Sequence, residues 1–195
     1  HKRNPEFVDD AMRTIGSSAA RMGKLISQLS GGAEPNAVSV GTMQSLDLAS
    51  VAERAAVRCA AVSPVPRVVT LQKAVVFADG ERLAAVIEHS IRNAQDATPP
   101  DGDVRVEVDR IGPNPVLRIV DSGSGMDEQF VRERLFRPFD TTKGSRGMGI
   151  GAFQVREYLR GLGGNVEVKS VVGAGTTFSL VFPAQMTDTL ARRAG

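Results

Sequence analysis

Polar and apolar positions divide this chain into a front segment with one helical period and a longer stretch where helical and strand periods alternate. Val8, Met12, Ile15, Ala19, Met22, Ile26 and Leu29 follow each other at alternating spacings of four and three. That heptad seam predicts one long helix over residues 5–30 with a partner helix against it. Asn4 suits its N-cap and Pro5 its first turn, where a missing N–H costs nothing. Gly31-Gly32 ends the helix, and residues 33–44 read as a linker. A lone amphipathic helix lying on its own domain would satisfy the same seam less well, because the stripe is narrow and the helix long.

Beyond the linker, strand-like runs are expected at 45–48, 67–71, 75–77, 104–108, 116–120, 166–170 and 176–182. Helices are expected at 49–61, 80–97 and 150–162. Val104, Val106 and Val108 alternate with Arg105, Glu107 and Asp109, the mark of a half-buried strand. Asp79 can cap the helix that follows, and Thr98-Pro99-Pro100 stops it. The fold class predicted is an α/β two-layer sandwich: one mixed, mostly antiparallel sheet with helices on one face, preceded by a long N-terminal helix. The domain reading is 1–32 a helical segment, 33–44 a linker, 45–184 an α/β domain and 185–195 a flexible tail.

Composition narrows the function by exclusion. The 195 residues carry 24 basic and 22 acidic side chains, a net charge of +2. That balance gives no basis for nucleic-acid binding or for direct contact with an anionic membrane. Cys59 is the single cysteine, so no internal disulfide exists and a reducing compartment is permitted. No run of 18 apolar residues is present. The start at His1-Lys-Arg without methionine reads as a piece of a longer protein, whose own membrane segments would not be visible here.

Chemistry concentrates in three places. On the helix 80–97, His89, Arg92, Asn93 and Asp96 recur at spacings of three and four and share one stripe. Asn93 offers a hard carboxamide oxygen to Mg²⁺, and a solvated face would favour Lys and Glu over Asn and His. The second place is Asp121-Ser-Gly-Ser-Gly-Met126, after the apolar run 116–120. Asp121 is acceptor-only when ionised and can read the exocyclic amine of adenine, while Gly123 and Gly125 can take positive φ and let backbone approach a flat base. The third is Thr141-Thr-Lys-Gly-Ser-Arg-Gly-Met-Gly-Ile-Gly151. Gly144, Gly147, Gly149 and Gly151 supply a mobile loop and then a helix start whose N–H groups favour phosphate, with Lys143 and Arg146 as added charges. The spacing fits neither a Walker motif nor a dinucleotide fingerprint.

Asn93, the 121–126 cluster, Leu135-Phe-Arg-Pro-Phe139, Thr141-Thr-Lys143 with Gly147-Met-Gly-Ile-Gly151, and Gly173-Ala-Gly-Thr-Thr-Phe178 stand in one order. Together they resemble the N, G1, F, G2 and G3 boxes of the catalytic domain of sensor histidine kinases, a Bergerat-type ATP-binding fold of the GHKL group. The resemblance implies ATP and Mg²⁺ as cofactors. Asn93 would hold Mg²⁺, Asp121 the adenine amine, Thr176 would lie near the base, and Phe136 and Phe139 would anchor a lid. That lid would carry Thr142, Lys143, Arg146, Gly147, Gly149 and Gly151 over the phosphates, with Arg92 and Asp96 as further nucleotide contacts. The helix 5–30 resembles the second helix of a kinase dimerisation hairpin, with His1 in the inter-helix loop and the phosphate-accepting histidine on a helix absent from this sequence. Asn4-Pro-Glu-Phe7 and Asn93-Ala-Gln-Asp-Ala-Thr98 also resemble kinases linked to exosortase and PEP-CTERM systems. The implied function is transfer of the γ-phosphoryl of ATP to a histidine outside this sequence, then to a response regulator receiver domain, in a homodimeric parent. Two rivals share these residues: a hydrolysing GHKL ATPase and a nucleotide-binding scaffold without turnover. Related ATPases place a glutamate one turn before the Mg²⁺ asparagine; here that position is His89, a candidate base with a near-neutral pKa.

Overall fold

Eleven elements follow from Met43 onward in a computed structural model that describes residues 42–140 and 149–184. The expected helix 5–30, the linker to residue 41, the loop 141–148 and the tail from 185 lie outside the described residues. His1–Val40 and Gly41–Gly195 form separate units, and every element here belongs to the second.

The order is β1 (Met43–Asp47), α1 (Leu48–Cys59), β2 (Arg67–Thr70), β3 (Val75–Asp79), α2 (Gly80–Ala97), β4 (Val104–Ile111) and β5 (Asn114–Asp121). Then come α3 (Glu128–Glu133), α4 (Gly151–Gly161), β6 (Asn165–Val171) and β7 (Gly175–Val181). The strands make two sheets. Five join in the order β2-β4-β5-β7-β6, and β1 pairs with β3 as a separate antiparallel ribbon. In the larger sheet β2 runs parallel to β4, and every other neighbour is antiparallel. The expected single sheet is therefore a main sheet plus a ribbon, and the six-residue α3 is an element the periodicity did not predict.

Alternation explains the layering. Val104, Val106 and Val108 are fully buried, while Arg105, Glu107 and Asp109 on the opposite face are half-buried. Across the sheet Val106 pairs with Ile119, Ile119 with Phe178 and Phe178 with Val168, which keeps one register from edge to edge. The valine face joins a single core with Leu83, Ile87 and Ile91 of α2, Val51 and Ala55 of α1, and Val155 and Leu159 of α4. The other face carries ion pairs such as Arg118 Nη1 to Asp109 Oδ2 at 2.8 Å. Among the described residues no helix is long and apolar enough to cross a membrane.

Helix α2 positions the site, and both its ends are fixed by local chemistry. Asp79 is the N-cap, its Oδ1 accepting from the Glu81 and Arg82 N–H groups at 3.0 and 3.1 Å. Thr98 is extended at φ −110° and ψ 134°, the conformation imposed on a residue before proline. One buried side chain ties α2 to its surroundings: Gln95 Nε2 donates to the carbonyls of Cys59, Val62 and Pro64 at 3.1, 2.7 and 3.0 Å. A leucine there would fill the space and leave those acceptors unpaired. Gln95→Leu is expected to cost roughly 2–3 kcal/mol, read as a lower urea midpoint at unchanged slope; an unchanged midpoint would show that the lock is dispensable.

Candidate active site

The site gathers at one end of the main sheet, where β5 and β7 meet the C-terminal end of α2. Asp121 is the last residue of β5, paired with Val104 on one side and Thr176 on the other. Only 8% of it is exposed. Its Oδ1 accepts from the Gly123 N–H at 2.9 Å and the Thr176 N–H at 3.2 Å. Among the described residues no hydrogen bond reaches Oδ2, so that oxygen carries the group's remaining acceptor capacity. Burial pushes the carboxyl above its ordinary range, and the two backbone N–H groups pull it back.

The loop after Asp121 is stitched in place by backbone. Ser124 N–H donates to Ala97 O, the end of α2, at 2.9 Å, and Gly173 N–H donates to Ser124 O at 2.8 Å. The Met126 N–H donates to Ser170 Oγ at 2.8 Å, and Ser170 Oγ lies 2.9 Å from Thr176 Oγ1. Close approach dictates the glycines. A β-carbon on Gly123 would collide with Ala97 O, and one on Gly125 with Val171 O. Gly125 has φ of 65°, whereas Gly123 is not in the positive-φ region. The expectation that both glycines serve left-handed backbone is thus corrected for Gly123, whose requirement is space.

Beside this loop lies a cavity of about 390 Å³, bounded by Asp96 and Ala97 of α2, by Ser124, Gly125, Met126 and Asp127, and by Phe130, Val172 and Thr176. Asp96 and Thr176, both expected at the site, reach it. Arg92 does not: its Nε and Nη2 donate to Glu88 Oε1 at 3.1 and 2.9 Å, and Nη2 lies 3.5 Å from Arg58 O. The guanidinium turns toward α1, so the expected single stripe splits. His89 is exposed and Asn93 half-buried, one helical turn apart on α2.

The lid expectation has two described ends. Phe136 is held between the ring of Phe178, 6.4 Å away and tilted by 46°, and the guanidinium of Arg156 at 4.8 Å. Phe139 is 64% exposed, so its side chain anchors nothing among the described residues, and the anchor is its backbone. The Phe139 N–H donates to Gly149 O at 2.9 Å, joining the two ends of the 141–148 segment. Phe139 sits at φ of 68°, unusual for a bulky residue, and Gly149 at 64°. Arg134 grips Asp140 through two bonds of 2.9 and 2.6 Å. Gly151 opens α4, whose N-cap Ile150 makes no side-chain cap. Thr142, Lys143, Arg146 and Gly147 lie outside the described residues.

Sequence reasoning missed several participants. Gly175 meets Asp121 O so closely that a β-carbon would collide, at φ of 103°; its place in the Gly173–Phe178 motif was the available signal. Phe130 and Val172 line the cavity without a motif, and Ser170 is indistinguishable in sequence from any outward strand serine.

Comparison with known proteins agrees with this geometry. The pattern of the family described as histidine kinase-, DNA gyrase B- and HSP90-like ATPases matches residues 78–186, more than half of the chain, and the chain belongs to that family. Sensor protein SrrB of Staphylococcus aureus is 29% identical over 109 residues, which span 54% of this chain and only 19% of SrrB. Among solved structures, the mycobacterial sensor histidine kinase MprB superposes with a TM-score of 0.65 at 24% identity, covering 74% of this chain and 99% of that one. Full-length ShkA in complex with AMPPNP gives 0.66 at 21%, covering 90% and 38%. Histidine kinase ThkA in complex with the response regulator protein TrrA gives 0.64 at 18%, covering 94% and 53%. The fold is that of histidine kinase catalytic domains.

Asp121 yields a test that separates function from stability. Its folded-state pKa is raised, so its charge opposes folding at neutral pH, and the group favours the fold more as pH falls through the window just above the ordinary carboxylate range. Asp121→Asn keeps an Oδ1 acceptor for the Gly123 and Thr176 N–H groups while removing the buried charge. The melting temperature of the free protein is expected to hold or rise. A clear drop would show that the charge itself supports the fold.

Proposed function

We propose that this chain is the ATP-binding catalytic region of a two-component sensor histidine kinase, passing the γ-phosphoryl of Mg-ATP to a histidine on another segment or chain. The observation that carries the reading is Asp121: a buried carboxylate with one oxygen spent on backbone and the other without a hydrogen bond among the described residues, at the head of the loop that borders a cavity at the end of α2. Thr176 and the glycine-shaped loop frame the base, with Gly123 and Gly125 admitting close backbone approach. Family membership supports ATP as the nucleotide, as does the AMPPNP bound to ShkA.

Mg²⁺ fits the donor set. Among the described residues there is no cluster of three or more His, Cys, Asp or Glu that would hold a metal. An ion that takes most of its ligands from phosphates and water needs few from protein. Asn93 would supply that oxygen, and the bound ion would neutralise charge on the phosphates. The N–H groups at the head of α4, which the Ile150 side chain does not cap, would face phosphate oxygens, with Lys143, Arg146 and Gly147 on the segment before it. Asp96 reaches the cavity as a further nucleotide contact.

The chemistry asks little more of this chain. The acceptor imidazole nitrogen attacks the γ-phosphorus as the bond to the β-phosphate oxygen breaks, ADP leaves, and the imidazole N–H proton passes to solvent. Such a transfer is carried by positioning and charge neutralisation, and the nucleophile is already competent. In the parent protein the helix 5–30 would pair with its copy in a homodimer on the cytoplasmic side. The phosphate would then pass to a response regulator receiver domain, a partner supported by the ThkA–TrrA complex.

The test is to mix the chain with the dimerisation hairpin of its parent and γ-labelled ATP. Acid-labile, base-stable label on the hairpin is expected, and Asn93→Ala is expected to lower its initial rate about 100-fold. Label absent while calorimetry shows nucleotide bound would contradict the kinase reading; steady hydrolysis by the chain alone would favour a GHKL ATPase.

A further inference from the structure

His89 and Gly151 meet across the gap between α2 and α4. A β-carbon on Gly151 would collide with His89 Nε2, and would lie 2.5 Å from Cε1 and 2.9 Å from Cδ2. The imidazole edge therefore occupies the volume a side chain at 151 would fill. Gly151 is not in the positive-φ region, so no backbone demand accounts for a glycine there. A side chain there would have to displace the ring. Gly151 is also the first residue of an eleven-residue helix whose N-cap side chain contributes no hydrogen bond. The neighbouring carboxylate is occupied elsewhere, since Glu88 accepts from Arg92 and pairs with Arg58.

We propose that His89 is a positioning residue acting through Gly151: its ring packs on the first residue of α4 and sets where that helix presents its N–H groups to the nucleotide phosphates. This deepens the kinase reading and rests on it for the identity of the ligand. It assigns His89 a role other than the water-activating base of a hydrolase. It also gives Gly151 a defined duty, which is to admit the imidazole.

Two substitutions remove the contact from opposite sides. His89→Ala deletes the ring. Gly151→Ala leaves His89 in the sequence but puts a methyl where its ring edge lies. Mg-AMPPNP affinity by calorimetry, and KM and kcat from the labelled-ATP assay, are measured for both single variants, the double variant and His89→Asn. Each single variant is expected to weaken nucleotide binding about tenfold, with the loss in KM rather than kcat. The double variant is expected to be no weaker than either single one, because each deletes the same contact. His89→Asn, with a planar polar group, should recover part of the loss. The chain has two histidines, so the His89 ring proton is resolvable by NMR and should shift in Gly151→Ala. If that variant fails to fold, the double variant should regain the fold, since the space is vacated.

A silent Gly151→Ala with an unmoved His89 resonance overturns the proposal. So do losses that multiply in the double variant, or a His89→Ala defect confined to kcat, which would mark a base. Wild-type chain that binds no nucleotide overturns the kinase reading and this proposal with it, whereas failure of the convergence in nucleotide-binding wild type overturns the proposal alone.

Discussion

The carboxylate of Asp121, held at the end of β5 by the backbone N–H groups of Gly123 and Thr176, is the constraint on which the rest of the site depends. A buried charge is costly unless hydrogen bonds satisfy it. Here two bonds satisfy one oxygen, and they come from the loop after β5 and from the neighbouring strand β7. The same two bonds therefore fix the turn of the glycine loop and the register of β7 beside it. The tight glycines follow from that arrangement, because Gly123 passes Ala97 O, and Gly175 passes Asp121 O, at distances no β-carbon allows.

Two sets of contacts surround that anchor. The loop after Asp121 is tied to α2 by the Ser124–Ala97 bond and to the β6–β7 turn by the Gly173–Ser124 bond, and α2 itself is capped by Asp79 and locked by Gln95. The described ends of the 141–148 segment are held by Phe136 under Arg156, by Arg134 on Asp140, and by a backbone bond from Phe139 to Gly149. Strain at Phe139, a bulky residue at φ of 68°, sits at this second set of ties.

Much of this was legible in the sequence because the signals were local. Alternating valines announced β4, Asp79 announced the start of α2, and Thr98-Pro99-Pro100 its end. The placement of Asp121 between an apolar run and a glycine pair pointed to the anchor, and five motifs in order pointed to the family. Features set by long-range partners were not legible. Arg92 shares a stripe with Asn93 but is turned by Glu88 and an α1 carbonyl. Gly123 looked like a conformational glycine and is a spatial one, a distinction that needs the position of Ala97. The separate β1–β3 ribbon depends on pairing across an intervening helix, and α3 is too short for periodicity to declare itself.

In the proposed function Asp121 accepts from the amino group of adenine. The direct measurement is calorimetric binding of Mg-ATP against Mg-ITP, which carries a carbonyl oxygen where adenine carries the amine. An unspent carboxylate oxygen facing that carbonyl would meet an acceptor instead of a donor. ATP is predicted to bind at least about tenfold tighter, some 1.4 kcal/mol, with the preference lost in Asp121→Asn. Equal affinity of the wild-type chain for the two nucleotides would contradict the account.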